Sequence, residues 1–187
     1  MKRIIKLGSL MLALIIAGTT FVSAQEKTTM VGGAAMYPSK NIIENAVNSK
    51  DHTTLVAAVK AAGLVETLEG TGPFTVFAPT NEAFNKLPNG AVDNLLMADN
   101  KDKLTTVLTY HVVAGMIDSK TLMEWIKKNG GTYTATTVQG GKLMFSMKGN
   151  NLMVMDESGN TAEITIKDVF QSNGVIHVID TVLMPKN

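Results

Sequence analysis

The chain predicts an α+β fold. Apolar residues recur at helical spacing through its first half, and the second half breaks into short strands parted by Gly and Asn turns. The two patterns follow one another rather than alternating, which argues against a parallel α/β sheet. With 187 residues, 45% of them apolar, the chain can bury the core of one such domain.

Residues 1–24 stand apart from that domain. Lys2, Arg3 and Lys6 precede an apolar run from Leu10 to Ala17, and Val22-Ser23-Ala24 places small or compact residues before Gln25. This is the pattern of a secretory signal cleaved after Ala24; the run falls short of the about 20 residues a membrane span needs. Residues 25–37 are small, polar and Gly-containing and read as a flexible leader, with the folded domain expected over 38–187. Cleavage removes three of the 17 basic residues and none of the 16 acidic ones, leaving a net charge of −2. With no basic stripe, nucleic acid is not an expected partner. The chain has no cysteine. That excludes a lipid on an N-terminal cysteine, a thiol nucleophile, a zinc–thiolate centre and an iron–sulfur cluster. No second segment approaches spanning length, so the mature protein is expected in the periplasm or outside the cell without a transmembrane anchor.

The elements follow in order. Ser39 is the expected cap of a helix carrying Ile42, Ile43, Ala46 and Val47. Asp51 is the expected cap of a second, with Leu55, Val56, Val59 and Ala62 as its stripe and Gly63 just past its end. The prolines at 73 and 79 bracket a short strand, covered on both faces. Thr80 is the expected cap of the turn that follows, and the Thr80 and Asn81 side chains can accept its free N–H groups. Residues 91–97 and 101–109 carry leucines and Val107 at helical spacing, and Leu122, Trp125 and Ile126 mark a helix over 119–129. Five strand-like segments then run from Thr132 to Met184, divided at Gly140-Gly141, Gly149-Asn150 and Gly159-Asn160, which predicts an antiparallel meander. The last segment is mainly apolar on both faces, which predicts a central strand; in it His177 and Asp180 fall on opposite faces and are not expected to pair.

Catalytic chemistry finds little support. There is no G-x-S-x-G, no Gly-rich phosphate loop, and His52, His111 and His177 lie in none of the zinc-ligand spacings. No enzymatic activity, cofactor or metal is therefore expected. The chain has 12 methionines, and Met144, Met147, Met153 and Met155 cluster in two strands. Soft thioethers suit copper(I), but packing of irregular core gaps is the favoured reading. A carrier of copper or of a small apolar molecule stands as the alternative function.

Three segments carry a resemblance. T-V-F-A-P-T-N-E-A-F (Thr75–Phe84), L-T-Y-H-V-V-A-G (Leu108–Gly115) and N-G-V-I-H-V-I-D-T-V-L-M-P (Asn173–Pro185) resemble, in order and spacing, the motifs of the fasciclin domain family. The resemblance covers about Pro38 to Pro185. It implies a β-rich wedge or sandwich wrapped by several short helices. It also implies an exported, non-enzymatic, monomeric module that meets a cell-surface or matrix protein, a glycan or an envelope partner. Tyr110 and His111 match a pair implicated in adhesion in family members. Asp168-Val169 matches an Asp-Ile pair implicated in integrin binding in some animal members, with Val in place of Ile and Lys167 before it. From the residues themselves, Tyr110 and His111 read as a buried junction between a helix and extended chain, and Thr80, Asn81 and His177 as structural.

Overall fold

The computed structural model describes residues 26–186, so the secretory signal and its cleavage point lie outside the described residues. Residues 29–36, expected as flexible leader, instead form a hairpin of β1 (Thr29–Val31) and β2 (Ala34–Met36). Two large apolar side chains explain its order: Val31 and Met36 are buried in the main core. The turn between them packs closely, since a Cβ on Gly32 would lie 2.3 Å from the Ser49 hydroxyl.

Helix α1 (Ile42–Ala46) is capped not by Ser39 but by Asn41. Its side chain accepts from the Glu44 N–H at 2.8 Å while Glu44 accepts from the Asn41 N–H at 2.8 Å. Asp51 is likewise not the cap of α2 (Thr53–Ala62); it sits in a 3-10 turn, Lys50–His52, that leads into the helix. Gly63 ends α2 in the left-handed conformation, as its position predicts. After α3 (Val65–Glu69) come β3 (Phe74–Pro79), α4 (Asn81–Asn85), α5 (Ala91–Leu96), α6 (Lys101–Tyr110), β4 (Val112–Ala114) and α7 (Ser119–Lys128). Strands β5 (Thr132–Thr136), β6 (Lys142–Lys148), β7 (Asn151–Met155), β8 (Thr161–Gln171) and β9 (Gly174–Ile179) complete the chain.

The meander from β5 to β9 is antiparallel throughout, but it is part of a larger, mixed sheet of seven strands ordered β4-β3-β9-β8-β7-β6-β5. Strand β3 lies parallel to β9, pairing Phe74 with Gly174 through to Pro79 with Ile179. The two outermost strands are brought together beyond the end of β5, where Val113 bridges Thr137 and the Val138 N–H donates to the Val112 carbonyl at 2.7 Å. Closing the sheet this way covers edge groups that would otherwise invite another strand.

Strands β3 and β9 are buried on both faces and divide two apolar clusters. Val76, Ala78, Ile176 and Val178 face α1, α2 and α6, whereas Phe77 and Ile179 face an interior filled by Leu122, Phe145, Val154 and Ile164. The last strand stops at Ile179, five residues before the end of the segment read as strand. Its continuation is held by side chains instead: the Leu183 N–H donates to His111 and the Met184 N–H to Asp156. Met147 packs against the interior cluster, but Met144, Met153 and Met155 point to the other face of β6 and β7 and do not fill the core.

The start of the parallel pair is the tightest point. A Cβ on Gly174 would lie 2.2 Å from the Phe74 carbonyl oxygen. Gly174→Ala is expected to lower unfolding free energy by about 1–3 kcal/mol, read from denaturant midpoints, because the neighbour is backbone and not a movable side chain.

Candidate functional site

The residues singled out in the sequence lie at the start of α4, at the α6–β4 junction and in β8 and β9, and most of them are pins. Tyr110, fully buried at the end of α6, donates its hydroxyl to the Lys142 carbonyl at 2.7 Å and accepts from the Glu157 N–H at 3.0 Å. Burial raises its pKa, against the Glu157 N–H bond. His111 caps the same helix. Its Nδ1 donates to the Val107 carbonyl at 2.8 Å, and its Nε2 accepts from the Leu183 N–H at 3.0 Å. One side chain thereby joins α6 to the C-terminal segment. Burial pushes its pKa down to about 4, against the opposing pull of the Val107 carbonyl and Asp156.

His177 sits on the interior face of β9, stacked on Phe77 with centroids 5.6 Å apart. Its Nε2 donates to the Ile117 carbonyl at 2.9 Å and its Nδ1 accepts from the Asp168 N–H at 3.3 Å. Burial lowers its pKa as well. With both ring nitrogens committed, neither histidine has a lone pair free to take a proton from a substrate. Asp180 serves elsewhere, accepting from the Glu163 N–H at 2.8 Å and facing Lys86 at 3.2 Å, so it does not orient His177.

Asp168 lies within β8 at φ +61°, where the register against β9 slips. Its carboxylate accepts from the Ser119 N–H at 2.6 Å and from the Ser119 hydroxyl, holding the start of α7. Val169 is 1% exposed. Tyr110, His111 and Val169 thus present no surface to a partner, and the Asp168 carboxylate is engaged within the chain.

Thr80 caps α4 as expected, accepting from the Ala83 N–H at 3.2 Å. Asn81 does not cap that helix; it accepts from the Thr54 N–H at 3.0 Å and donates to the Lys50 carbonyl at 2.9 Å, tying α4 to the start of α2. Sequence reasoning missed Asp156 and Asn173. Asp156 accepts from the Ser158, Asn160 and Met184 N–H groups, and its place before Ser-Gly-Asn is a readable turn signal. Asn173 joins Ile42, Leu68 and Gly70 across more than 100 residues of chain, which no local pattern reveals.

Two features of the interior remain for binding. Between the helices and β3 lies a cavity of about 80 Å³ with an almost wholly apolar wall that includes Val31, Met36, Leu55, Val59 and Ile176. His52 reaches its edge; Nδ1 meets the Ser49 hydroxyl at 2.9 Å, and Nε2 has no partner among the described residues. Burial lowers the His52 pKa, and the Ala78 carbonyl opposes that shift without completing a hydrogen bond. Among the described residues, no group of three or more His, Asp or Glu is placed to hold a metal ion, and no helix is long and apolar enough to cross a membrane.

This arrangement of helices and a large mixed sheet is that of a fasciclin domain. The sequence model of the Fasciclin domain matches residues 50–185, and the chain belongs to that family. It is 46% identical over 164 residues to Protein sll1483 of Synechocystis, covering 86% of this chain and 82% of that protein. It is 39% identical over 145 residues to Immunogenic protein MPB70 of Mycobacterium bovis, covering 75% of this chain and 66% of that protein. Transforming growth factor-beta-induced protein ig-h3 of Sus scrofa is 40% identical over 131 residues, but the match spans only 17% of its length. Among solved structures, a FAS1 domain pair from the insect cell adhesion molecule Fasciclin I superposes with a TM-score of 0.71 at 19% identity, over 79% of this chain and 52% of that one.

His111→Ala is expected to lower stability by about 1–3 kcal/mol, since it strands the buried Leu183 N–H. The wild-type protein carries a pH dependence with the same origin. A histidine held at about 4 when folded and near 6.5 when unfolded takes up its proton more readily in the unfolded chain. Its stabilising effect is therefore complete above pH 6.5 and is lost as pH falls toward 4, on the order of 3 kcal/mol. His52 and His177 add in the same direction. Denaturant midpoints between pH 7 and 4 are expected to fall less steeply in His111→Ala than in the wild type.

Proposed function

We propose that this chain is an exported, non-enzymatic adhesion or interaction module whose partner is a cell-surface or matrix protein, a glycan or an envelope component. Membership of the fasciclin family carries the reading, together with relatives whose names include a cell surface glycolipoprotein and a cell adhesion molecule. The commitment of His111 and His177 to internal bonds supports a function exerted at the surface. The contact is proposed to involve Phe170, 40% exposed on β8 beside the buried Val169, with Lys167 exposed nearby on the same strand. Protein spanning residues 25–187 is expected to attach to at least one cell, matrix or envelope fraction. Phe170→Ala is expected to weaken attachment by on the order of tenfold while leaving the unfolding midpoint unchanged. Failure of the wild type to attach to any fraction would overturn the proposal. Loss of attachment in His111→Ala without loss of stability would return the contact to the Tyr110–His111 pair.

A second reading rests on the apolar cavity of about 80 Å³ and the unpartnered His52 Nε2 at its edge. A dry apolar cavity takes up small apolar molecules, and the imidazole N–H suits one that carries a single acceptor. Small aromatic aldehydes are expected to raise the thermal midpoint of the wild type, and Ala46→Leu, which fills the cavity from α1, is expected to abolish that rise. No shift in either protein would sink the carrier reading.

A further inference from the structure

The outer face of the β6–β7 hairpin carries three thioethers at positions where a solvated sheet face ordinarily carries polar residues. The core-facing residues of these strands are Leu143, Phe145, Leu152 and Val154, each buried. Met144, Met153 and Met155 alternate with them and therefore lie on the opposite face. Met144 is 37% exposed and the other two are half-buried. The register sets their spacing. Met144 stands directly across from Met155, and Met153 is two residues along the same strand and face, across from Ser146.

We propose that Met144, Met153 and Met155 form a binding site for a soft monovalent cation of the copper(I) or silver(I) class. Directly opposed Cβ atoms in such a pair are about 5 Å apart and diagonal ones about 7 Å. Each methionine adds an unbranched side chain with three rotatable bonds, long enough for three sulfurs to meet at one point above the sheet. Thioether sulfur selects copper(I) over hard cations, and a chain without cysteine offers no thiolate to compete for the ion.

The surroundings fit a soft, singly charged guest. Thr134 flanks Met144, Thr161 flanks Met155, and Glu163 flanks Met153 on the neighbouring strands. The Glu163 carboxylate can balance one positive charge from beside the sulfurs. Lys142 and Lys148 share this face at the two ends of β6, where long exposed side chains can turn away from the ion. Met147 belongs to the opposite face, packed on the interior cluster, and takes no part. The proposal is independent of the adhesion reading and of the apolar cavity, which lies on the helix-covered side of β3 and β9.

The test is a titration of the protein over residues 25–187, labelled with ¹³C at the methionine methyl groups, with silver(I) and, anaerobically, with copper(I). One equivalent of either ion is expected to move the methyl signals of Met144, Met153 and Met155, while zinc(II) and magnesium(II) move none. The triple variant Met144→Leu, Met153→Leu, Met155→Leu keeps the side-chain size and is expected to keep the unfolding midpoint. Its affinity for silver(I) is expected to fall at least about a hundredfold, whereas Met97→Leu, at an exposed site elsewhere, binds like the wild type. Absence of binding would overturn the proposal, as would shifts spread equally over the exposed Met30, Met97 and Met116. A triple variant that binds silver(I) as tightly as its parent would do the same.

Discussion

The parallel pairing of β3 with β9 is the constraint on which the rest of the molecule depends. These two strands come from residues about 100 apart and sit side by side inside the sheet, next to the edge strand β4, with apolar side chains packed on both faces. Each face then needs its own cover, which is why helices gather on one side while α7 and the curled meander enclose the other. The approach of the two backbones is close enough to demand glycine at 174. Asn173, immediately before it, receives α1 through the Ile42 N–H and α3 through two carbonyls. The N-terminal helices are thereby tied to the same point at which the parallel pair begins.

Polar residues inside such a core are costly unless every donor and acceptor is matched. This chain uses that requirement to place segments that no ladder can hold. His111 joins the end of α6 to the chain after β9, His177 holds the segment before α7, and Asp156 receives Met184. In each case a single side chain meets backbone groups from two distant segments. Burial, together with the N–H groups that their second ring nitrogens accept, favours the neutral form of His111 and His177, so the residues that look most reactive in the sequence are the least available for chemistry.

Interior and surface consequently differ in chemistry. The interior is either packed or, beside His52, apolar and empty of polar partners apart from one imidazole nitrogen. The outer face of β6 and β7 is the converse: it is a place where apolar sulfur-bearing side chains are left to solvent while aliphatic and aromatic ones take the core. Identity of residue type is thus a poor guide to role here; side of the sheet decides it.

Much was legible in the residues alone. The α+β order, the Thr80 cap, the Gly63 helix end, the two-sided burial of β3 and β9, and the separation of His177 from Asp180 all follow from spacing and local backbone chemistry, which act over a few residues. The hairpin at 29–36 was hidden because its order comes from Val31 and Met36 reaching a core built by later residues. The Asn41 cap was missed because Ser39, two residues earlier, offers the same chemistry and only the backbone geometry distinguishes them. The burial of Val169 and the turning of Met144, Met153 and Met155 to the outside were decided by register and by the bulge at Asp168, where a shift of one residue exchanges the faces of a strand. By itself the sequence determined most of the elements after residue 37 and the two-sided burial of the central strands, because those depend on period and propensity. Only the tertiary structure decided which polar groups became pins and which face each methionine took, because those depend on contacts between separate segments and on the register of paired strands.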